Sequence, residues 1–387
     1  MTRVLAVICL SNFFAASGQR ITEPVLPQIA ADLSVDVKTA ALLATAFALP
    51  WIVAQPIFGP LGDLIGKVRV IRFNIVLLVL STLGGAFATT FPELFAARVL
   101  AGVATAGVMP VGFALTGDLT PASQRAISVG RIVGASMAGQ LLGAVVAGLI
   151  GDMIGWRGVF IGTGLAMFSS GVLVFVGLRG VNEPSASSFN VSAVLSNYRS
   201  VFANPLAKVC FGAVFLEGIA IFGVLPYVAP LLVSVGEGRA IIAGFIVSGF
   251  ALGAFSYSFL VPLFIARLSP RQLMVLGAVI CTAGLLTFGA LPPWPVQVAA
   301  FSLMGFGFYM LHNCIQVQMM ELAPHARGSA VAMHASTFFM GQALGPVLFG
   351  LALSAAGAFL STVAAGILLL CVGIIGARLL YGRSPSI

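Results

Sequence analysis

The chain has 387 residues, of which 59% are hydrophobic and only 8% charged, with a mean hydropathy of +1.10. A soluble globular domain carries about 25% charged residues, so the composition excludes that class. The net charge of +8 comes without a basic stripe or an aromatic-interleaved patch, which argues against a nucleic-acid partner. The five cysteines (Cys9, Cys210, Cys281, Cys314, Cys371) are scattered through apolar stretches. They form neither a disulfide framework nor a metal spacing and read as small core residues.

Long uncharged runs recur from end to end, the pattern of membrane-spanning helices, each needing roughly 20 residues. We read twelve, near 4–31, 39–58, 71–90, 93–117, 126–151, 157–179, 206–234, 240–266, 272–291, 295–320, 328–355 and 357–380. The first 18 residues could pass for a signal peptide. The apolar run resumes through Pro24–Ala31, however, so the segment is long enough to span. The serine-rich stretch 182–204, with Pro184 and Arg199, separates the halves 1–181 and 205–387. The expected fold is an all-α membrane protein with twelve transmembrane helices in two pseudo-symmetric six-helix bundles.

The halves repeat. Arg125 and Arg327, Gly139 and Gly341, and Gly143 and Gly345 are each 202 positions apart, while Pro121 and Pro324 are 203 apart. Internal repeats of this size, with prolines paired across the halves (Pro24 and Pro27, Pro226 and Pro230), point to a secondary transporter working between its two halves. Glycines four apart, at 130/134, 139/143, 158/162, 249/253 and 341/345, predict close helix packing. Charge sets the topology. With the N-terminus inside, Arg3, Lys67, Arg69, Arg72, Arg125, Arg179, Arg199, Lys208, Arg267, Arg271, Arg327, Arg378 and Arg383 fall at cytoplasmic ends. Only Lys38, Arg157 and Arg239 fall outside, so both termini are expected in the cytoplasm of a bacterial inner-membrane protein.

Between the second and third spans runs Gly59-Pro-Leu-Gly-Asp-Leu-Ile-Gly-Lys-Val-Arg69. Gly59, Gly62 and Gly66 permit a tight turn, and Asp63 beside Lys67 and Arg69 can latch neighbouring helices in one state. This stretch resembles the loop signature of the major facilitator superfamily, a resemblance that extends over the whole chain. The second copy, Val261–Arg271, lacks the aspartate. Leu94-Phe-Ala-Ala-Arg-Val-Leu-Ala-Gly102 is similar to the family's second motif, which implies that Arg98 takes part in proton coupling. Gly139-Gln-Leu-Leu-Gly143 through Gly148 resembles the motif of drug:proton antiporters, with Ala144 and Ala147 in place of a proline and a glycine. Trp156-Arg157 and Phe160 fit the same subfamily. The resemblance implies efflux of a small organic molecule driven by the proton gradient, with no cofactor, a lipid bilayer as surroundings and a single chain as the working unit.

Charges inside spans are costly and usually functional. Arg20 and Glu23 share a helix face, with Glu23 roughly 13 Å below the outer surface and Arg98 roughly 7 Å below it. Together with Glu217, these are the proton-coupling candidates. Gln19, Gln140, Glu217, His312, Asn313, Gln316 and Gln342 are the substrate candidates. Glu217 and His312 fall at the same depth, and Gln140 and Gln342 occupy matching places in the two halves. The competing reading of Arg20 and Glu23 is a structural ion pair capping an irregularity before Pro24. No phosphate loop is present, and His312, His325 and His334 show no metal spacing with acids. The rival functions are an uptake symporter holding an organic anion on Arg20, an intramembrane enzyme using His312 and Glu321, and a transport-inactive sensor.

Overall fold

The computed structural model describes residues 2–181, 191–322 and 327–382; at a few further helical positions only the backbone is described. The described residues form helices and connecting turns, with no strand. Among the described residues, nine helices are long and apolar enough to cross a membrane. Two of these, Ile127–Gly177 and Ser329–Tyr381, are long enough to cross twice. Together with the broken first helix, this gives twelve crossings.

The chain divides into two compact units, Met1–Phe189 with Gly238–Gly244, and Asn190–Glu237 with Phe245–Ile387. The first contains α1 (Thr2–Ser17), α2 (Leu26–Asp32), α3 (Val37–Ile65), α4 (Lys67–Ala86), α5 (Phe91–Leu119) and α6 (Ala122–Gly177). The second contains α7 (Val191–Ala203), α8 (Ala207–Phe222), a 3-10 turn (Leu225–Tyr227), α9 (Val228–Ser234), most of α10 (Ala240–Arg267), α11 (Pro270–Gly289), α12 (Trp294–Glu321) and α13 (Arg327–Tyr381).

Local chemistry sets several helix starts. Asp36 accepts from the Thr39 amide at α3, and capping boxes pair Thr90 with Glu93 at α5 and Ser269 with Gln272 at α11. Gly155 inside α6 has φ 77 and ψ 175, and Gly357 inside α13 has φ 77 and ψ 176. Only glycine adopts this conformation readily, so each position bends one continuous helical ladder into two crossings. They lie 202 residues apart, the interval of the sequence repeat.

The first helix is not the continuous span expected over 4–31. It stops at Ser17 and resumes at Leu26. Pro24 and Pro27 lack amide donors, so a regular ladder cannot pass through them. The seventh span, expected over 206–234, breaks in the same place, between Phe222 and Val228.

The repeated Gly-Gln-x-x-Gly motif explains how these broken helices are held. A Cβ on Gly139 would stand 2.1 Å from the Phe13 carbonyl oxygen, and one on Gly341 2.2 Å from the Phe215 carbonyl oxygen. Gly143 and Gly345 are equally close to Ser17 and Ile219. Phe13 and Phe215 are again 202 apart, as are Ser17 and Ile219. Packing this close requires glycine. The expectation fails at Gly130 and Gly134, where a Cβ would meet nothing within 4 Å. It fails too for Cys371, which is exposed while Cys210, Cys281 and Cys314 are buried.

Candidate functional site

In the first unit the break in helix 1 presents both polar groups and free carbonyls. Arg20 Nη1 lies 3.1 Å from Glu23 Oε1, and both side chains are almost fully buried. Arg20 Nε and Nη2 also donate to Gln140 Oε1 from α6, each at 3.3 Å. The sequence grouped Arg98 with Glu23, but Arg98 turns to backbone instead. Its Nη1 donates to the Gly18 carbonyl at 2.9 Å and its Nη2 to that of Gln19 at 3.4 Å. The guanidinium also sits over the Phe47 ring, 4.4 Å from the centroid. The helix break exposes carbonyls that lack amide partners, and a buried guanidinium supplies the missing donors. Gln19 reaches this site through its carbonyl; its side chain is half-buried.

The latch candidates lie where α3 ends and α4 begins. Lys67 Nζ lies 3.0 Å from Asp118 Oδ2 at the end of α5, a partner that sequence reasoning did not name. Of Gly59 and Asp63 the structure describes only the backbone, so that part of the latch lies outside the described residues. Gly66 takes φ 97 between α3 and α4, Gly62 packs beside Lys67, and Arg69 is exposed with Nη1 on the Ile65 carbonyl.

At the opposite end of unit 1, Asp32 accepts from Arg157 Nη1 and from Trp156 Nε1 at 3.3 Å, while Arg157 Nη2 caps the Ala88 carbonyl. The Arg157 hydrogen bond, followed by its charge and the Trp156 donor, holds the Asp32 carboxyl below the usual carboxylate range. Unit 1 also holds a cavity of about 120 Å³ lined by Val4, Ile8, Thr116, Thr120, Ser128 and Arg131, among others. None of the sequence-selected residues lines it.

In the second unit Glu217 is fully buried on α8, and its Oε1 contacts His312 Nδ1 on α12. His312 Nε2 lies 3.3 Å from His334 Nε2 on α13. Glu217 Oε2 and His334 Nδ1 have no hydrogen-bond partner among the described residues. Aromatic rings surround this line of groups. His312 stacks on Phe308 with centroids 5.1 Å apart and meets Phe338 at 5.4 Å; Phe222 touches Phe250, Phe308 and Phe338.

His334 was not singled out by sequence. It precedes Gly341 by seven residues, two helical turns, on the face that packs against α8, and that register could have found it. Gln342 is buried beside this face with Oε1 unpartnered among the described residues. Asn313 and Gln316 are half-buried on α12, and Asn313 turns to Tyr257 rather than to Glu217.

Residues 8–346 and 239–387 match the sequence model of the family described as Major Facilitator Superfamily. The chain is 24% identical to the MFS-type transporter YfhI of Bacillus subtilis (strain 168), over 96% of this chain and 92% of that protein. It is also 24% identical to the quinolone resistance protein NorA of Staphylococcus aureus (strain MRSA252), over 90% of each. Among solved structures, a bacterial homolog of the human lysosomal transporter Spinster, inward-facing and unoccupied, superposes with a TM-score of 0.78. It is 18% identical and covers 100% of this chain and 99% of its own.

Proposed function

Since the chain belongs to the Major Facilitator Superfamily, and is an integral multi-pass membrane transporter rather than an enzyme, we propose that it exports a small organic molecule in exchange for protons by alternating access. The observation that carries this reading is Glu217. It is a fully buried carboxylate with no lysine or arginine ion pair among the described residues and with one oxygen unpartnered. A carboxylate in apolar surroundings is tolerated when a proton or a cation joins it, and exchange between the two is the chemistry of an antiporter. The rings of Phe222, Phe308 and Phe338 would give the cation apolar and π-face contacts. The relationship to NorA agrees with a drug-like cargo.

In this reading Glu23, paired with the Arg20 that Gln140 also holds, and Arg98 fix the broken helix, while Glu217 is the group that exchanges its proton. The rival uptake symporter, with an organic anion on Arg20, is disfavoured because Glu23 already lies 3.1 Å from that guanidinium. The protein would work as a monomer in a bacterial inner membrane with both termini cytoplasmic, as the basic residues direct. Inverted vesicles with an imposed proton gradient test the proposal. Wild type should concentrate a reporter cation or a hydrophobic drug, and Glu217→Gln should lose the gradient-driven part. Accumulation of substrate only under the opposite gradient would contradict export.

A further inference from the structure

The line from Glu217 through His312 to His334 has a geometry that a proton relay does not require. The two Nε2 atoms face each other at 3.3 Å. Two imidazole nitrogens on one tetrahedral metal ion, each about 2.0–2.1 Å from it, stand about 3.3–3.4 Å apart. The group behind them fits as well. A metal-ligating histidine almost always gives its other N–H to a carboxylate or carbonyl, which fixes the tautomer and aims the free lone pair. His312 meets Glu217 through Nδ1, which leaves its Nε2 lone pair free, with His334 Nε2 3.3 Å away. His334 needs only the tautomer protonated at Nδ1, an atom with no partner among the described residues, to offer its own Nε2 lone pair to the same point. The His312 side chain keeps 13% exposure, so the pair is not sealed.

We propose that His312 and His334 bind one divalent transition-metal ion of the zinc class, with Glu217 as the carboxylate that orients His312. Among the described residues no group of three His, Cys, Asp or Glu side chains stands ready to hold a metal. Water therefore completes the coordination, and the affinity falls well short of a closed four-ligand site. Imidazole ligands select zinc, cobalt, nickel and copper over magnesium and calcium, which take oxygen donors. The inference does not depend on which solute is carried or in which direction.

The test uses the full-length protein without an affinity tag, purified in detergent and freed of metal. Binding of Zn²⁺ is measured by equilibrium titration, and binding of Co²⁺ by its visible absorption. Wild type should take up one ion per chain with a nitrogen-ligand cobalt spectrum. His334→Ala and His312→Ala should each weaken binding at least tenfold, and Glu217→Gln about 10- to 100-fold. His325→Ala should bind as wild type does. If an alanine variant fails to fold, the asparagine variant at the same position, which keeps a donor and an acceptor, serves in its place. The proposal is overturned if wild type binds no Zn²⁺, or if the His312/His334 double variant binds it as tightly as wild type. Unchanged binding by Glu217→Gln would overturn the role given to the carboxylate. None of these outcomes depends on transport, so failure here and failure of the export reading are separate results.

Discussion

The two units bury one carboxylate each near a broken helix, and they neutralise it differently. In the first, Glu23 has a full cationic partner in Arg20, and Gln140 holds the other side of that guanidinium. In the second, Glu217 meets an imidazole and leaves one oxygen without a partner among the described residues. The first arrangement is internally balanced. Removing one member leaves a buried charge, which costs far more than the pair itself contributes. The second is balanced only when a proton or a cation arrives. The backbone repeat is therefore closely kept while its chemistry has diverged: one unit holds its charge by structure, and the other can exchange it.

This contrast can be broken by mutation. The largest effect is expected at the balanced site. Glu23→Gln removes the charge facing Arg20 and should lower unfolding stability by about 3 kcal/mol. Adding Arg20→Met to it should recover most of that loss, measured by thermal or denaturant unfolding in detergent. Equal stability of single variant and wild type would show that Glu23 is not held as an ion pair.

Next come the glycines that let α6 reach α1 and α13 reach α8. Gly139→Ala and Gly341→Ala each force a methyl group into a backbone carbonyl and should cost about 1–3 kcal/mol. The two losses should be similar, since the contacts are alike at 2.1 and 2.2 Å. A large inequality would show that the halves are not packed alike.

Glu217→Gln should change stability by less than about 1 kcal/mol, because the amide keeps the shape without adding a charge. Its effect should appear in gradient-driven transport and in the proton and metal binding that depend on the carboxylate, rather than in folding.

The smallest effect belongs to Asp32. Its carboxyl lies below the ordinary range in the folded protein, so the contacts with Arg157 and Trp156 hold at neutral pH. Their contribution to stability begins to fall once the unfolded chain takes up the proton in the ordinary carboxylate range, and the contacts themselves are lost as pH falls through the lowered value and Asp32 is protonated in the folded protein. The Trp156 component of the fluorescence, isolated by difference against Trp156→Phe, should stay constant from pH 7 into the acid range and then shift. Asp32→Asn should remove the shift.

Much of this was legible in the sequence because the signals were periodic or repeated. The 202-residue interval from Arg125 to Arg327 recurs in Gly155 and Gly357, where the backbone bends, and in the carbonyl contacts of Phe13 and Phe215. Glu217 and His312, read at a common depth, do meet, although the sequence reading did not pair them. What was not legible depends on where a side chain goes once the helix is broken. Depth alone placed Arg98 near Glu23, whereas the unwound carbonyls of Gly18 and Gln19 compete better for a planar five-donor group. Lys67 also reaches Asp118, a partner far along the chain that sits beside it only because α5 ends there. Glycine spacing predicted packing at Gly130 and Gly134, yet spacing does not say which face of a helix meets a neighbour.

The most direct measurement of the central claim is proton release on substrate binding. Detergent-purified wild type, in weakly buffered solution, is mixed with a transported cation such as tetraphenylphosphonium, and the pH change is recorded. The account predicts about one proton released per cation bound in wild type, release retained in a folded Arg20→Met/Glu23→Gln variant, and none in Glu217→Gln. Undiminished release from Glu217→Gln would contradict it.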